Sequence, residues 1–267
     1  MRVSIASYAR PEGCRDKTLA FLKRAKWPAK DIIIFVASTS EKKIYEQTLR
    51  KGTYGKIVVG KLGLGNQKNI MRDFFEEGEE VLFMDDDIES VLRIVPRQGE
   101  RNSAVEALSF KKYAKWAFRE CRKNGVRLWG IRMSTNAFFM SETATIGWLL
   151  ISGGCYGEVN TRAKAFRVQR ADGNQDDIER TLQHIREYGN IMRINGLAMK
   201  TVWYGPGGVQ ATMSLERRHA NGRARAAQIA KKYKDIIKSV TDAEPPHEVD
   251  YKLKVSPTRR RIPMPLM

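Results

Sequence analysis

Through the first hundred residues, short apolar runs alternate with longer stretches whose apolar positions recur at helical spacing, the pattern of an α/β sheet. Residues 2–7 predict a strand, followed by a turn at Tyr8-Ala-Arg-Pro and a helix over Lys17–Ala25 with Leu19, Phe21 and Leu22 inward. The unbroken run from Ile32 to Val36, mostly β-branched, predicts a strand buried on both faces. Ser38-Thr-Ser-Glu resembles a capping box and opens a helix over Lys42–Lys51. Lys56-Ile-Val-Val predicts a third strand, and a helix follows Gly63-Leu-Gly-Asn-Gln-Lys-Asn. Glu80-Val-Leu-Phe-Met predicts the fourth strand, ending at Asp85-Asp86-Asp87.

The rhythm then changes. Residues 94–103 read as a polar loop, and a helix over Ala104–Lys123 carries Phe110, Tyr113, Ala114, Ala117 and Cys121 on one face. Strands are expected at 126–134 and 145–153, and a helix over 177–188 that Gly189 stops. Residues 190–195 and 197–204 read as a hairpin, 214–240 as a basic helix, and 245 onward as a Pro- and Arg-rich tail. The expected organisation is one domain over 1–240, split near residue 100 into two halves, with a basic extension at 241–267.

The aspartates bring in chemistry. A parallel strand delivers them to its C-terminal edge, where open α/β sheets bind ligands. On an extended strand Asp85 and Asp87 share one side and Asp86 points to the other. Adjacent carboxylates repel unless a cation neutralises them, and their hard oxygens select Mn2+ or Mg2+, ions that bridge protein to a diphosphate. An acidic surface turn is the plain alternative. Haloacid-dehalogenase-like phosphatases also begin with strand-Asp-x-Asp, but near the N-terminus and with Thr or Val where this chain has Glu89.

A second acidic pair, Asp176-Asp177, opens the helix carrying Ile178, Leu182 and Ile185. Asp176 is expected to cap that helix and Asp177 to act as a general base. Charge changes the picture again. The 267 residues hold 48 Lys and Arg against 30 Asp and Glu, a net +18, which favours a polyanionic partner such as nucleic acid over a neutral one. Lys111, Lys115, Arg119 and Arg122 along one helix, with Arg162 and Arg170, are candidate DNA contacts. Three separated cysteines with no CxxC pair indicate neither a disulfide framework nor a zinc ribbon, and no apolar run reaches membrane-spanning length. A cytoplasmic setting without membrane insertion is expected, and a non-catalytic DNA-binding protein stays open.

The order strand, Tyr8-Ala-Arg-Pro turn, helix, strand, helix, strand, Gly-Leu-Gly-Asn-Gln-Lys-Asn, strand, Asp-Asp-Asp resembles the GT-A glycosyltransferases. With the basic charge, it is similar to the phage DNA glycosyltransferases associated with TET/JBP-type oxygenases, across roughly Val3 to Gln210. The resemblance implies a Rossmann-like, mixed, mostly parallel sheet flanked by helices. It implies a nucleotide-sugar donor, UDP-glucose, and 5-hydroxymethylcytosine in DNA as acceptor; a lipid or polysaccharide acceptor is the alternative. Carried onto this chain, Ala6, Ser7, Tyr8, Arg10, Ser38, Gly65, Lys68, Asp85 and Asp86 would hold the donor. Asp85, Asp87 and His219 would hold the metal; as the alternative to His219, the glycine-rich run Gly205–Gln210 could approach the diphosphate with its backbone N–H groups.

Overall fold

The computed structural model describes residues 1–97, 101–173, 175–201, 214–243 and 249–267, without the side chains at 215 and 217–219. The chain forms a mixed β-sheet flanked on both faces by helices, as one domain. Four strands build its N-terminal part: β1 (Arg2–Ala6), β2 (Ile32–Val36), β3 (Lys56–Val59) and β4 (Glu80–Asp85). They lie in the order β4-β1-β2-β3, all parallel. The continuous apolar runs of β2 and β4 are needed because both faces are covered. Four successive β2 residues, Ile33 to Val36, are under 5% exposed.

The helical turns of residues 11–24 pack Phe21 and Leu22 on one sheet face. Helix Phe110–Lys123 buries Phe110, Tyr113, Ala114, Ala117, Phe118 and Cys121 on that same face. Each fully buried phenylalanine there contributes roughly 1.5–3 kcal/mol. Helices Leu64–Phe74 and Asp176–Tyr188 cover the opposite face through Met71, Leu182 and Ile185.

Beyond β4 the sheet becomes mixed. Strands β5 (Ile88–Val95), β6 (Ser103–Glu106), β7 (Leu128–Arg132), β8 (Thr143–Gly147), β9 (Cys155–Val159) and β10 (Ile191–Thr201) follow in the chain. β9 pairs antiparallel with both β4 and β7, so β7 runs parallel to β4 and its end, Arg132, lies on the edge that carries Asp85. Gly157 of β9 leaves room for Trp129, because a Cβ there would sit 2.1 Å from the indole nitrogen.

Five expectations are corrected. The polar stretch 94–103 overlaps two paired strands, β5 and β6, and the helix starts at Phe110 rather than Ala104. Residues 191–201 form one strand instead of a hairpin. Past Asn195-Gly196 that strand leaves β8 for β5, while its pairing with β7 resumes after a bulge at Ala198 and Arg132. Asn195 donates to Thr143 and Thr145 at 3.1 and 2.8 Å, and a Cβ on Gly196 would meet the Ser141 carbonyl at 2.8 Å. The helix expected to reach 240 ends at Lys232, and Ile237–Asp242 forms a strand, β11, paired with β12 (Val249–Leu253). The terminal segment is also anchored: β13 (Arg260–Pro263) joins the sheet beside β8, and the Met267 carbonyl accepts from Ser109 and Tyr113.

Candidate active site

The ends of β1 and β4 meet at one point, with Ala6 in register with Asp85. β4 stops at Asp85, and Asp86-Asp87 form a turn into β5, so the alternation expected of an extended strand does not apply. Thr18 holds this turn. Its hydroxyl donates to the Asp85 carbonyl at 2.7 Å and accepts from the Ile88 N–H at 2.9 Å. Thr18 sits in a wide π-type stretch, Cys14–Leu19, of the first helical segment.

Each aspartate has its own surroundings. Asp86 is buried and accepts from Ser7, whose oxygen is 2.6 Å from the Tyr45 hydroxyl. Arg10 Nη1 bridges Asp86 and Asp87 at 3.3 and 3.0 Å, and Thr201 donates to Asp87 at 3.0 Å. Asp85 accepts no side-chain hydrogen bond among the described residues. Burial pushes its carboxyl up to about 7, Lys68 opposes this, and Asp87, Asp86 and Asp176 add to it. Burial likewise lifts Asp86 to about 6 against the pull of Ser7 and Arg10.

Lys68 projects from helix Leu64–Phe74, its amine 3.5 Å from the Tyr156 hydroxyl. Burial would lower its pKa, but Tyr156, Asp176 and Asp85 together raise it. Gly65, one turn earlier, is engaged elsewhere. Its N–H donates to Ala171, and a Cβ would overlap the Arg170 carbonyl at 1.8 Å. Ser38 caps helix Thr39–Thr48 by accepting from the Glu41 N–H at 3.2 Å. The Glu41 carboxylate then ties the loops after β1 and β2 together through the N–H groups of Ala9 and Ala37, at 2.7 and 2.8 Å. Tyr8 lies half-buried beside these loops.

Two glycines connect the aspartate turn to the second acidic pair. The Gly154 carbonyl accepts from the Asp85 N–H at 2.8 Å, and the Gly153 N–H donates to Asp177 Oδ2 at 3.2 Å. A Cβ on Gly154 would lie 3.3 Å from Asp85 Oδ2. Asp176 does not cap its helix. Gln175, in the left-handed conformation at φ 58°, holds that position, and Asp176 instead faces Arg180 at 3.6 Å. Burial raises the Asp176 pKa, while Lys68 and Arg180 oppose it.

The basic helix residues Lys111, Lys115, Arg119 and Arg122 stand on the sheet face opposite the Asp176–Tyr188 helix. Arg122 pairs with Glu80. Arg162 donates to the carbonyls of Asp73 and Phe75, and Arg170 pairs with Asp172 at 2.7 Å. These six are not gathered around Asp177. His184 is a buried core residue whose Nδ1 is 2.9 Å from the Arg180 carbonyl. The His219 side chain and the loop Gly205–Gln210 lie outside the described residues.

Sequence pattern alone does not reveal Thr18, Thr201, Arg72, Glu158 and Arg180. Nor does it reveal Arg132 and Arg193, which share the face of the Asp176–Tyr188 helix by strand alternation with Ile191 and Leu128. Burial first, then Arg132 and Arg259, lower the Arg193 pKa to about 10. No carboxylate pairs with Arg132, Arg193 or Arg259 among the described residues.

Among the described residues, no group of three or more His, Cys, Asp or Glu side chains forms a metal cage. A divalent ion held by one or two carboxylates and completed by substrate phosphates does not need one. An Asp85 carboxylate without a donor, crowded by like charges, fits that role. No helix among the described residues is long and apolar enough to cross a membrane.

No family model and no curated protein matches this sequence. Among solved structures, a mannosyltransferase from Pyrobaculum calidifontis in complex with GDP-Man and Mn2+ is similar at 12% identity and TM-score 0.49. The match covers 84% of this chain and 64% of that one. S. aureus TarS is similar at 18% identity and TM-score 0.49, over 86% of this chain and 40% of that one. A mycobacterial protein is similar at 13% identity and TM-score 0.49, over 100% of this chain and 84% of that one. This chain thus spans less than two thirds of the first two, and likeness at this level assigns no activity.

Proposed function

We propose that the chain is a metal-dependent glycosyltransferase that moves a sugar from a nucleotide-sugar donor, UDP-glucose, to 5-hydroxymethylcytosine in DNA. The observation that carries this reading is the convergence of Asp85, Asp86, Asp87 and Asp177 with Arg10 and Lys68 at one edge of the parallel strands. Asp85 and Asp87 would hold Mn2+ or Mg2+, which supplies positive charge to the donor diphosphate. Asp177, oriented by the Gly153 N–H, takes the proton of the acceptor hydroxyl. The freed oxygen bonds to the anomeric carbon as the bond from that carbon to the diphosphate oxygen breaks. Arg10 and Lys68 offset the charge that gathers on the departing nucleotide.

Support for a polyanionic acceptor comes from Arg193, whose pKa is lowered first by burial and then by Arg132 and Arg259, with no carboxylate pairing any of the three among the described residues. Cations that repel one another are stabilised by an incoming phosphate backbone. The test is incubation with hydroxymethylcytosine DNA, a panel of nucleotide sugars and Mn2+, followed by nucleoside mass spectrometry. A hexose adduct is expected with UDP-glucose, and no adduct from any donor would reject the DNA reading.

A further inference from the structure

Behind Asp176 a cleft opens between helices Leu64–Phe74 and Asp176–Tyr188, lined by Phe83 and Tyr156 and by residues 165–168. Arg180 lines it and is 7% exposed. Its guanidinium lies 3.6 Å from the centre of the Tyr156 ring, which stacks on Phe83 at 4.9 Å. None of its three nitrogens has a hydrogen-bond partner among the described residues. The Asp176 oxygen at 3.6 Å is beyond good hydrogen-bond range. A buried donor group left this way is costly, more so when charged.

Its neighbours sharpen the contrast. Arg72 lines the same cleft but is satisfied by Glu158 at 2.7 Å and the Thr161 carbonyl at 2.8 Å. Arg167 is taken by Asp73, and Glu179 by Arg225 and Lys232. Lys68 enters from the other helix, its amine 5.3 Å from the centre of the same Tyr156 ring. Two cations therefore lie near one aromatic ring, and Asp176 acts on both.

We propose that this cleft is an oxyanion pocket, in which a compact carboxylate or phosphate carried by a substrate accepts from the Arg180 fork and from Lys68. A planar guanidinium held 3.6 Å from the ring centre presents its donors as a fork that suits bidentate carboxylate or phosphate binding. The inference rests on the glycosyl-transfer reading only for the origin of that group. Either an acidic donor sugar or a phosphate of the acceptor presents the same oxygens next to Asp176-Asp177.

The test titrates inorganic phosphate into the full chain without divalent metal, by calorimetry. Wild type is expected to bind, and Arg180→Gln to bind at least tenfold more weakly. Val168→Asp, which places a carboxylate at the cleft while keeping Arg180, is expected to do the same and decides the matter should Arg180→Gln unfold. No phosphate binding by wild type, or equal binding by wild type and Val168→Asp, overturns the pocket. So does displacement of phosphate by UDP alone, because the site would then be that of the donor diphosphate. Competition by UDP-glucuronic acid but not UDP-glucose assigns the group to the sugar. Competition by a short oligonucleotide but by neither sugar nucleotide assigns it to the acceptor. Mn2+-dependent UDP binding is read on the same samples: its loss with phosphate binding intact rejects glycosyl transfer and leaves the pocket standing.

Discussion

Arg72→Met is expected to destabilise the protein by about 3–5 kcal/mol, the cost of leaving a buried charge without its partner. Glu158 is wholly buried on β9. The Arg72 guanidinium 2.7 Å away is its hydrogen-bonded cation, with His184 Nε2 further off at 3.7 Å. Burial pushes the Glu158 carboxyl up, but Arg72, His184 and Arg180 outweigh it and hold the pKa below its usual value. A carboxyl lowered on folding adds stability above its unfolded pKa, about 4.3, and that stability is lost as pH falls through the folded value. Without Arg72 burial dominates, so the acid limb should move to higher pH. For a chain of this size the loss corresponds to a fall in Tm on the order of 10 °C. Urea unfolding followed by tryptophan fluorescence at several pH values measures both effects. The double variant Arg72→Met with Glu158→Leu should recover much of the loss, since an apolar pair has no charge to desolvate. A cost under about 1 kcal/mol for Arg72→Met, or no recovery in the double variant, would refute the reasoning.

Burial holds His184 down to about 4, so wild type should lose about 3 kcal/mol between pH 6.5 and 4 as the unfolded chain takes up the proton first; a flat profile in that window contradicts this. Asp177→Asn should leave UDP binding intact and cut turnover by about 100-fold or more in a single-turnover assay, and unchanged turnover would remove Asp177 as base. Gly154→Ala should stay folded, because the flexible end of Met199 at 2.7 Å can yield, yet bind UDP with Mn2+ more weakly since the new methyl presses on Asp85. Replacing Arg132, Arg193 and Arg259 by Gln should flatten the salt dependence of DNA binding, by roughly one logarithmic unit for each phosphate no longer neutralised; an unchanged slope rules out that face.

The elements most readable from sequence are those whose local pattern agrees with their final environment. β2 and β4 are continuous apolar runs because both faces are covered, and Ser38 sits where a helix must be capped. β5 is hidden because Glu89 and Arg93 interrupt its apolar positions. β10 reads as a hairpin because Asn195-Gly196 is turn chemistry, yet here the pair allows a change of partner strand. At the site, the aspartates announce themselves by clustering. Arg180 and Arg72 do not, since a charge becomes informative only when tertiary packing buries it. One signal is present: Arg180, Thr181, Gln183 and His184 give helix Asp176–Tyr188 a polar cluster on its inner side, where an ordinary core helix carries apolar residues.

The central claim, a metal-bridged nucleotide-sugar site at the Asp85–Asp87 turn, is tested most directly by calorimetric titration of UDP into wild type and Asp85→Asn, each with and without Mn2+. Wild type should bind UDP at least tenfold more tightly with Mn2+ than without. Asp85→Asn should lose that gain while keeping the wild-type Tm within a few degrees. UDP binding that ignores Mn2+, or a metal-dependent gain undiminished in Asp85→Asn, would contradict the account.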